Sequence, residues 1–210
     1  MLSFNLKKYL KSNSQLKLYN NFQYQGDLSL LEGKYKKVCI VGSRKMSSYG
    51  KLIIDEIVPK LVKENIVIVS GGAFGVDIYS HKVCTTFNGK GIVVIPSNLQ
   101  NIYPKLNSKE IIKIKDQGLM ISTNKLNTPK KYDFIYRNQV MSEISDLTLI
   151  IEASNESGSR HTANFTIDLN KPLACFPGNI FSPISKLNHK LIKQGAYLIE
   201  TCDDILELLS

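Results

Sequence analysis

No apolar run approaches the length of about 18 residues that a membrane-spanning helix needs. The N-terminus, Met-Leu-Ser-Phe-Asn-Leu-Lys-Lys, also lacks the apolar centre of a secretion signal. We therefore expect a cytoplasmic protein with no membrane-embedded part. Cysteine is scarce, and the four cysteines lie far apart with no C-x-x-C pair. Because metal-ligand spacings are absent too, we expect buried thiols and neither a metal nor another cofactor.

Acidic residues are also few: 18 Asp and Glu stand against 27 Lys and Arg, giving a net charge of +9 over 210 residues. Such a balance favours a polyanionic partner, either nucleic acid or an anionic membrane surface. No long basic amphipathic helix is present, which favours nucleic acid. A lysine-rich solvated surface would give the same count, so the charge alone does not assign a function.

Apolar runs of strand length alternate with segments of helical spacing from residue 37 onward. Several strands are nearly continuous in Val and Ile, which predicts a parallel sheet covered by helices on both faces. We predict a Rossmann-like, doubly wound, mostly parallel α/β fold. Residues 33–210 are predicted to form the core domain, and residues 1–32 an N-terminal extension that packs on its edge.

The predicted elements can be given by residue. The strands are 22–28, 38–41, 66–70, 91–95, 119–122, 147–152, 172–176 and 196–200, and the helices 48–64, 76–87, 108–116, 136–144, 161–169, about 185–194 and one after residue 201. Leu52, Ile53 and Ile57 are among the apolar positions of the first long helix. Asn107 has the spacing of a capping box with the acidic residue at 110, and Thr201 is predicted to cap the last helix.

Ligands of such sheets bind beyond the carboxyl ends of the strands. There the first core strand runs into Gly42, Ser43 and Arg44, directly before a helix whose N–H groups and dipole attract anions. Gly42 permits close approach of the backbone, and Arg44 offers a planar fork of donors that suits phosphate. The alternative is an ordinary strand-to-helix turn with a surface arginine.

Two further small-residue turns, 70–75 and 153–159, and the loop 96–105 follow other strands. Because parallel strands end at one edge, we expect all these segments along one rim, where they could hold more than one phosphate. Basic residues are expected to flank this rim as an open groove. They are Lys34, Lys36, Lys37, Arg44, Lys45, Lys105, Lys130, Lys131 and Arg137.

An ordered set of short motifs extends over roughly residues 22–205. It includes Tyr24-Gln-Gly-Asp-Leu, Val38-Cys-Ile-Val-Gly-Ser-Arg, Ser70-Gly-Gly-Ala-Phe-Gly-Val-Asp, Ile102-Tyr-Pro, Arg137-Asn, Ser157-Gly-Ser and Pro177-Gly. In this order and spacing the sequence resembles the DprA/Smf family of bacterial DNA-processing proteins. The resemblance implies a core that is not an enzyme, binds and protects single-stranded DNA, and forms a homodimer. It also implies help in loading the recombinase RecA during DNA uptake, natural transformation or recombination.

The turns and the resemblance together predict a DNA- and phosphate-binding site. Its residues are Gly42, Ser43, Arg44, Lys45, Ser70, Gly71, Gly72, Phe74, Gly75, Lys105, Arg137, Asn138, Ser157, Gly158 and Ser159. An aromatic ring at Phe74, Tyr103 or Phe134 could stack on a base, although core packing is the favoured interpretation of Phe134. The candidate dimer surface is the apolar region 172–199, with Leu187 and Leu191.

Three places depart from the family pattern. Phe74 stands where the family usually has Arg, which removes a cation and can trade phosphate binding for stacking. Ser122-Thr123 replaces the usual Ser-Glu, and Leu187 and His189 replace a usual Gly and Asn. These changes affect the details of the pocket and of partner binding.

Two other functions compete with DNA binding. A nucleotide phosphoribohydrolase-like enzyme on a related fold would carry Pro-Gly-Gly-x-Gly-Thr-x-x-Glu, which is absent. Asp77 and His81 lie four residues apart on one helix face. This spacing fits an acid–base pair or, more simply, a contact that stabilises the helix. A small-nucleotide sensor would use the same rim but needs a closed base pocket, whereas a DNA binder needs an open basic groove.

Overall fold

The computed structural model describes residues 2–10, 22–125 and 127–210. Within these ranges one sheet is formed by β1 (Leu2–Phe4), β2 (Phe22–Gly26), β3 (Lys37–Val41), β4 (Val67–Ser70), β5 (Gly91–Ile95), β6 (Leu119–Ser122), β7 (Leu147–Ile150), β8 (Leu173–Cys175) and β9 (Tyr197–Leu198). Their order across the sheet is β1-β2-β6-β5-β4-β3-β7-β8-β9. Residues 11–21, which belong to the predicted extension, lie outside the described residues.

The sheet is mostly parallel, as the sequence predicts. All neighbours from β6 to β9 run parallel, whereas β2 pairs antiparallel with both β1 and β6. At the centre, Cys39 of β3 pairs with Val69 of β4 on one side and with Thr148 of β7 on the other. The carboxyl ends of these parallel strands therefore share one edge of the sheet, which we call the rim.

Helices cover both faces of the sheet. They are α1 (Ser48–Lys63), α2 (Val76–Thr86), α3 (Ser108–Gln117), α4 (Lys131–Ile144), α5 (Ser159–Asp168), α6 (Lys186–Lys193) and α7 (Cys202–Leu209). Alternate residues of β3 serve opposite faces, because successive strand side chains point to opposite sides. Cys39 packs with the cluster beneath α4, α5 and α6, whereas Ile40 packs with the cluster beneath α1, α2 and α7.

Three local expectations need correction. Leu52 is 67% exposed, and the core face of α1 uses Ile54 and Val58 instead. Helix α4 begins at Lys131 and not at residue 136, because the carboxylate of Asp133 accepts the Lys130 N–H at 2.6 Å and caps an earlier turn. Asn107 makes no capping bond; its amide donates to the carbonyl of Gly72 at 2.9 Å and ties two loops together.

Two other local expectations are confirmed, the cap of α7 and the burial of the cysteines. The Thr201 N–H donates to Asp204 Oδ2 at 2.8 Å, and the Thr201 hydroxyl accepts the Asp204 N–H, which completes a capping box. All four cysteines are buried as free thiols. In the described part of the chain, no helix is long and apolar enough to cross a membrane, and no cluster of potential metal ligands is found.

Candidate nucleic-acid interface

The predicted turns meet at the rim. The Val76 N–H donates to the carbonyl of Ser43 at 3.1 Å, which joins the turn after β4 to the turn after β3. The Ser159 hydroxyl donates to the carbonyl of Gly42 at 3.2 Å, and the Asn138 amide donates to the carbonyl of Gly158 at 3.2 Å. The turns at 42–45, 71–75 and 157–159 thus form one continuous surface, held by bonds between residues far apart in sequence.

Two glycines in these turns are required by packing. Gly75 has φ of +73°, and a Cβ there would lie 2.2 Å from the carbonyl oxygen of Ser43. A Cβ on Gly71 would lie 1.1 Å from Nη1 of Arg137. Both positions exclude a side chain because of a neighbour inside the protein, so neither glycine by itself indicates a bound phosphate.

An open cleft lies beside these turns. Arg44, Phe74, Tyr103 and Phe134 stand around it, and we call it the aromatic cleft. Phe74 and Tyr103 are 41% and 43% exposed. The Phe134 ring packs edge-on against Tyr103, with centroids 5.5 Å apart, and Arg44 Cζ lies 6.0 Å from its centroid. The interpretation of Phe134 as a core residue is therefore wrong: its ring is part of the cleft wall.

A carboxylate of the chain itself occupies the second Gly-rich turn. Asp77 is buried and accepts the backbone N–H groups of Gly71 and Ala73. Burial raises the pKa of Asp77, while the Arg137 guanidinium and these N–H groups oppose the increase. Two of the backbone donors at this turn are thus already used by Asp77.

The N-terminus of α1 is filled in the same way. The buried carboxylate of Glu152 accepts the N–H of Ser47 at 2.5 Å and its hydroxyl hydrogen at 2.6 Å. A Cβ on Gly50 would lie only 2.7 Å from this carboxylate. A carboxylate of the chain itself therefore lies against the N-terminus of α1, where the sequence argument placed a phosphate.

Several predicted site residues act inside the scaffold. The hydroxyl of Ser43 donates to the carbonyl of Lys45 at 2.9 Å, and the hydroxyl of Ser70 donates to the carbonyl of Ile40 at 2.6 Å. Ser159 is buried, and its N–H donates to the hydroxyl of Ser157 at 3.2 Å. These polar groups satisfy one another, so they position the rim and leave ligand contact to exposed side chains.

Arg137 lines the floor of the aromatic cleft and is almost fully buried. It is only 4% exposed, and its Nη1 lies 3.7 Å from Asp77 Oδ2. Burial lowers the pKa of Arg137, and the nearby charge of Arg44 lowers it further, whereas Asp77 opposes both effects. Two guanidinium groups thus adjoin one carboxylate, which leaves one surplus positive charge beside the aromatic cleft.

Exposed lysines lie on the loops of the rim. Lys45 follows β3, Lys105 follows β5, and Lys130 and Lys131 follow β6. Sequence analysis missed Lys125, which is exposed on the same loop after β6, where its carbonyl accepts the amide of Asn98. Its position directly after a predicted strand was the signal that could have found it.

Three other lysines do not flank the rim, contrary to expectation. Lys34, Lys36 and Lys37 precede or begin β3, so they lie at the opposite edge of the sheet. Lys36 donates to the carbonyl of Leu209, and the buried Lys37 donates to the carbonyl of Tyr35 at 2.6 Å. The basic groove therefore consists of the residues that follow strands and excludes those that precede β3.

The candidate acid–base pair does not form. His81 is completely buried beside Gly91, and neither ring nitrogen has a hydrogen-bond partner within the described residues. Burial lowers its pKa to about 4. A substrate at the rim has no access to this ring, so the site offers no support for the acid–base alternative.

Comparison with known families decides the affiliation of the chain. The family model "DNA recombination-mediator protein A" matches residues 6–210. The chain belongs to this family of DNA-processing proteins. It is 33% identical to DNA processing protein DprA of Bacillus subtilis over 88% of this chain and 62% of that protein. It is 34% identical to protein Smf of Escherichia coli, over 82% of this chain and 47% of that protein.

Solved structures of family members agree with the fold. DNA processing protein A from Streptococcus pneumoniae matches with a TM-score of 0.88 and 29% identity, covering 100% of this chain and 74% of that one. The Helicobacter pylori protein, described with a unique single-stranded DNA binding mode, matches with a TM-score of 0.81 and 30% identity, over 96% and 89% of the two chains. The molybdenum cofactor carrier of Chlamydomonas reinhardtii, at 13% identity and a TM-score of 0.57, shares the fold alone.

Proposed function

We propose that this chain binds single-stranded DNA in the aromatic cleft. The observation that carries the proposal is the pairing of three accessible aromatic rings with exposed Arg44 and one surplus positive charge at an open cleft. Sequence-tolerant binders of single strands combine cationic contacts to phosphate with aromatic platforms for bases. The single-stranded DNA binding described for the Helicobacter pylori relative supports the same function here.

The residues divide into three roles under this proposal. Arg44, Lys45 and Lys105, with the lysines of the loop after β6, contact phosphates. Phe74, Tyr103 and Phe134 stack on bases. Arg137 holds the turn of Gly71 in place through its pair with Asp77 and is a positioning residue. A duplex binds less well, because its bases are already stacked and cannot enter between the rings.

A small-nucleotide sensor is the less favoured alternative. Nucleotide-binding members of this fold class place a diphosphate at the first helix N-terminus. Here Glu152 fills that position at α1, and Asp77 takes up the next turn. The phosphates of a nucleotide would be repelled by these two carboxylates. The exposed cations are instead spread along the rim, as the phosphates of an extended DNA strand require.

Delivery of DNA to RecA and a homodimer are further parts of the proposal, and both derive from family resemblance. For a dimer we now favour the edge strand β9, where Tyr197 and Leu198 are 53% and 48% exposed, together with Ile167 on α5. A groove of about 760 Å³ lies beside them. Leu187 and Leu191, the earlier candidates, are 1% and 3% exposed and belong to the monomer core.

Fluorescence anisotropy with labelled oligo-dT tests the proposal, with duplex DNA and mononucleotides as competitors at several salt concentrations. Oligo-dT should bind with an affinity that falls as salt rises, and neither competitor should displace it. Arg44→Ala should weaken binding and reduce the salt slope by about one. Lys63→Ala, at the opposite end of α1, is the matched control and should change neither. Equal effects of the two variants would remove Arg44 from the site.

A further inference from the structure

The loop after β8 presents a highly exposed aromatic ring. Phe181 is 86% exposed and its neighbour Ile180 is 64% exposed, the highest exposures of this loop's large apolar residues. These two adjacent exposed apolar side chains offer contact area to a binding partner. The loop follows a parallel strand and therefore lies on the same rim as the aromatic cleft.

Hydrogen bonds hold this loop in shape. The Phe181 N–H donates to Asn179 Oδ1 at 2.8 Å, and Lys186 Nζ donates to the carbonyl of Ile180 at 2.6 Å. The Gly178 N–H donates to the ring of His189 at 3.3 Å. A backbone fixed in this way loses little conformational freedom on binding, which favours the loop as a contact platform.

The rim between the cleft and this loop is basic. Lys45 is exposed on the turn after β3, and Arg160 is exposed on the first turn of α5, after β7. Tyr49 at the start of α1 is 46% exposed and donates its hydroxyl to the carbonyl of Pro177 at 2.7 Å, which links the two regions. Exposed cations and aromatic rings therefore both occur along the carboxyl ends of β3, β7 and β8.

We propose that a strand of nucleic acid bound in the aromatic cleft continues along this rim, with Lys45 and Arg160 on its phosphates, and that Phe181 stacks on a base at the far end. This inference rests on the proposed function. Because β4 and β8 are separated by three strand spacings, the loop of Phe181 after β8 lies ~15 Å along the rim from the turn after β4 at the aromatic cleft. The bound segment is thus longer than the cleft alone can hold.

The charge of a neighbouring groove also excludes that groove from the proposed path of the nucleic acid. A groove of about 680 Å³ descends from Tyr49 between α1 and the residues after β8 and β9. Glu56 and Glu200 line it. These carboxylates repel phosphates, so the strand stays on the basic rim and does not enter this groove.

Oligonucleotide length tests the inference. Labelled oligo-dT of about 4 and about 16 nucleotides spans the range of site sizes known for sequence-tolerant binders. Phe181→Ala should reduce affinity for the long oligonucleotide by about 5-fold or more and leave the short one unchanged. Arg160→Ala should lower the salt slope by about one for the long oligonucleotide alone. Phe87→Ala is the control, because Phe87 is 54% exposed but follows α2 at the opposite edge.

Several outcomes would overturn the inference. Unchanged affinity of Phe181→Ala for the long oligonucleotide would do so, as would equal losses for both lengths. A change in oligomeric state by light scattering with unchanged DNA binding would identify the loop as a protein contact instead. Failure of the unaltered protein to bind either length would reject the aromatic cleft itself, which separates failure of the proposed function from failure of this extension.

Discussion

The carboxylate of Glu152 accepts both the N–H and the hydroxyl hydrogen of Ser47, at 2.5 and 2.6 Å. Ser47 in turn caps α1, since its hydroxyl accepts the Gly50 N–H at 3.2 Å. Glu152, two residues after β7, thus supplies the anion at the first helix N-terminus of the fold. This arrangement converts a position suited to phosphate into an internal contact between β7 and α1.

Removal of this carboxylate should both destabilise the protein and free the anion position. Glu152→Ala is expected to lower the free energy of unfolding by about 2 kcal/mol, because charge-assisted hydrogen bonds to a buried group are lost. Urea denaturation measures the loss. Added sulfate should then raise the melting temperature of the variant more than that of the unaltered protein. Equal responses to sulfate would show that Glu152 does not fill an anion site.

Acid should destabilise the protein through His81. Its pKa is lowered to about 4 from an ordinary value of 6.5, so the folded state binds fewer protons than the unfolded state between these values. The stability that the neutral ring contributes is present above pH 6.5 and is lost as the pH falls toward 4. The loss at pH 5 should be about 2 kcal/mol.

His81→Met provides the matched comparison for this acid sensitivity. The variant places an apolar side chain in the same buried position and cannot be protonated. Urea denaturation at pH 7.5 and pH 5 should show a smaller decrease in stability for the variant than for the unaltered protein. The prediction is wrong if both proteins lose the same free energy.

Two glycines of the predicted site should differ sharply in their tolerance of substitution by alanine. Gly75→Ala places a methyl group 2.2 Å from the carbonyl of Ser43 at a positive φ, and should cost about 2 kcal/mol or more. Gly158→Ala has open space within 4 Å and an α-helical φ of −58°, so its cost should stay within about 0.5 kcal/mol. Thermal denaturation of both variants distinguishes them, and similar melting temperatures would contradict the assignment.

Phe74 should contribute stacking where the family usually places a cation. Phe74→Ala is expected to weaken oligo-dT binding by about 5-fold or more with little change in salt slope. Phe74→Arg should instead increase the salt slope by about one, because it adds a phosphate contact. Anisotropy titrations over a range of salt concentrations measure both quantities. A reduced salt slope for Phe74→Ala would assign the position an electrostatic role in place of stacking.

The sequence by itself determined the alternation of strands and helices, the mostly parallel sheet and the capping of α7 by Thr201. These features follow from local patterns: apolar runs of strand length, helical spacing of apolar residues and a capping pair three positions apart. The turn at Gly42, Ser43 and Arg44 was placed correctly at the rim for the same reason, because the carboxyl end of a parallel strand is defined by chain direction.

Only the tertiary structure decided which groups at the rim are free. Glu152 reaches Ser47 across 105 residues of sequence, and Arg137 reaches Asp77 across the sheet. A local pattern contains no information on such partners, so some donors that looked available in the sequence, such as the Ser47 N–H, are satisfied in the fold. The same limit applies to Lys37, whose burial follows from contacts at the opposite edge of the sheet. It also applies to Phe134, whose position on α4 places its ring at the aromatic cleft. Long-range packing therefore selects the binding residues from the many that local sequence makes candidates.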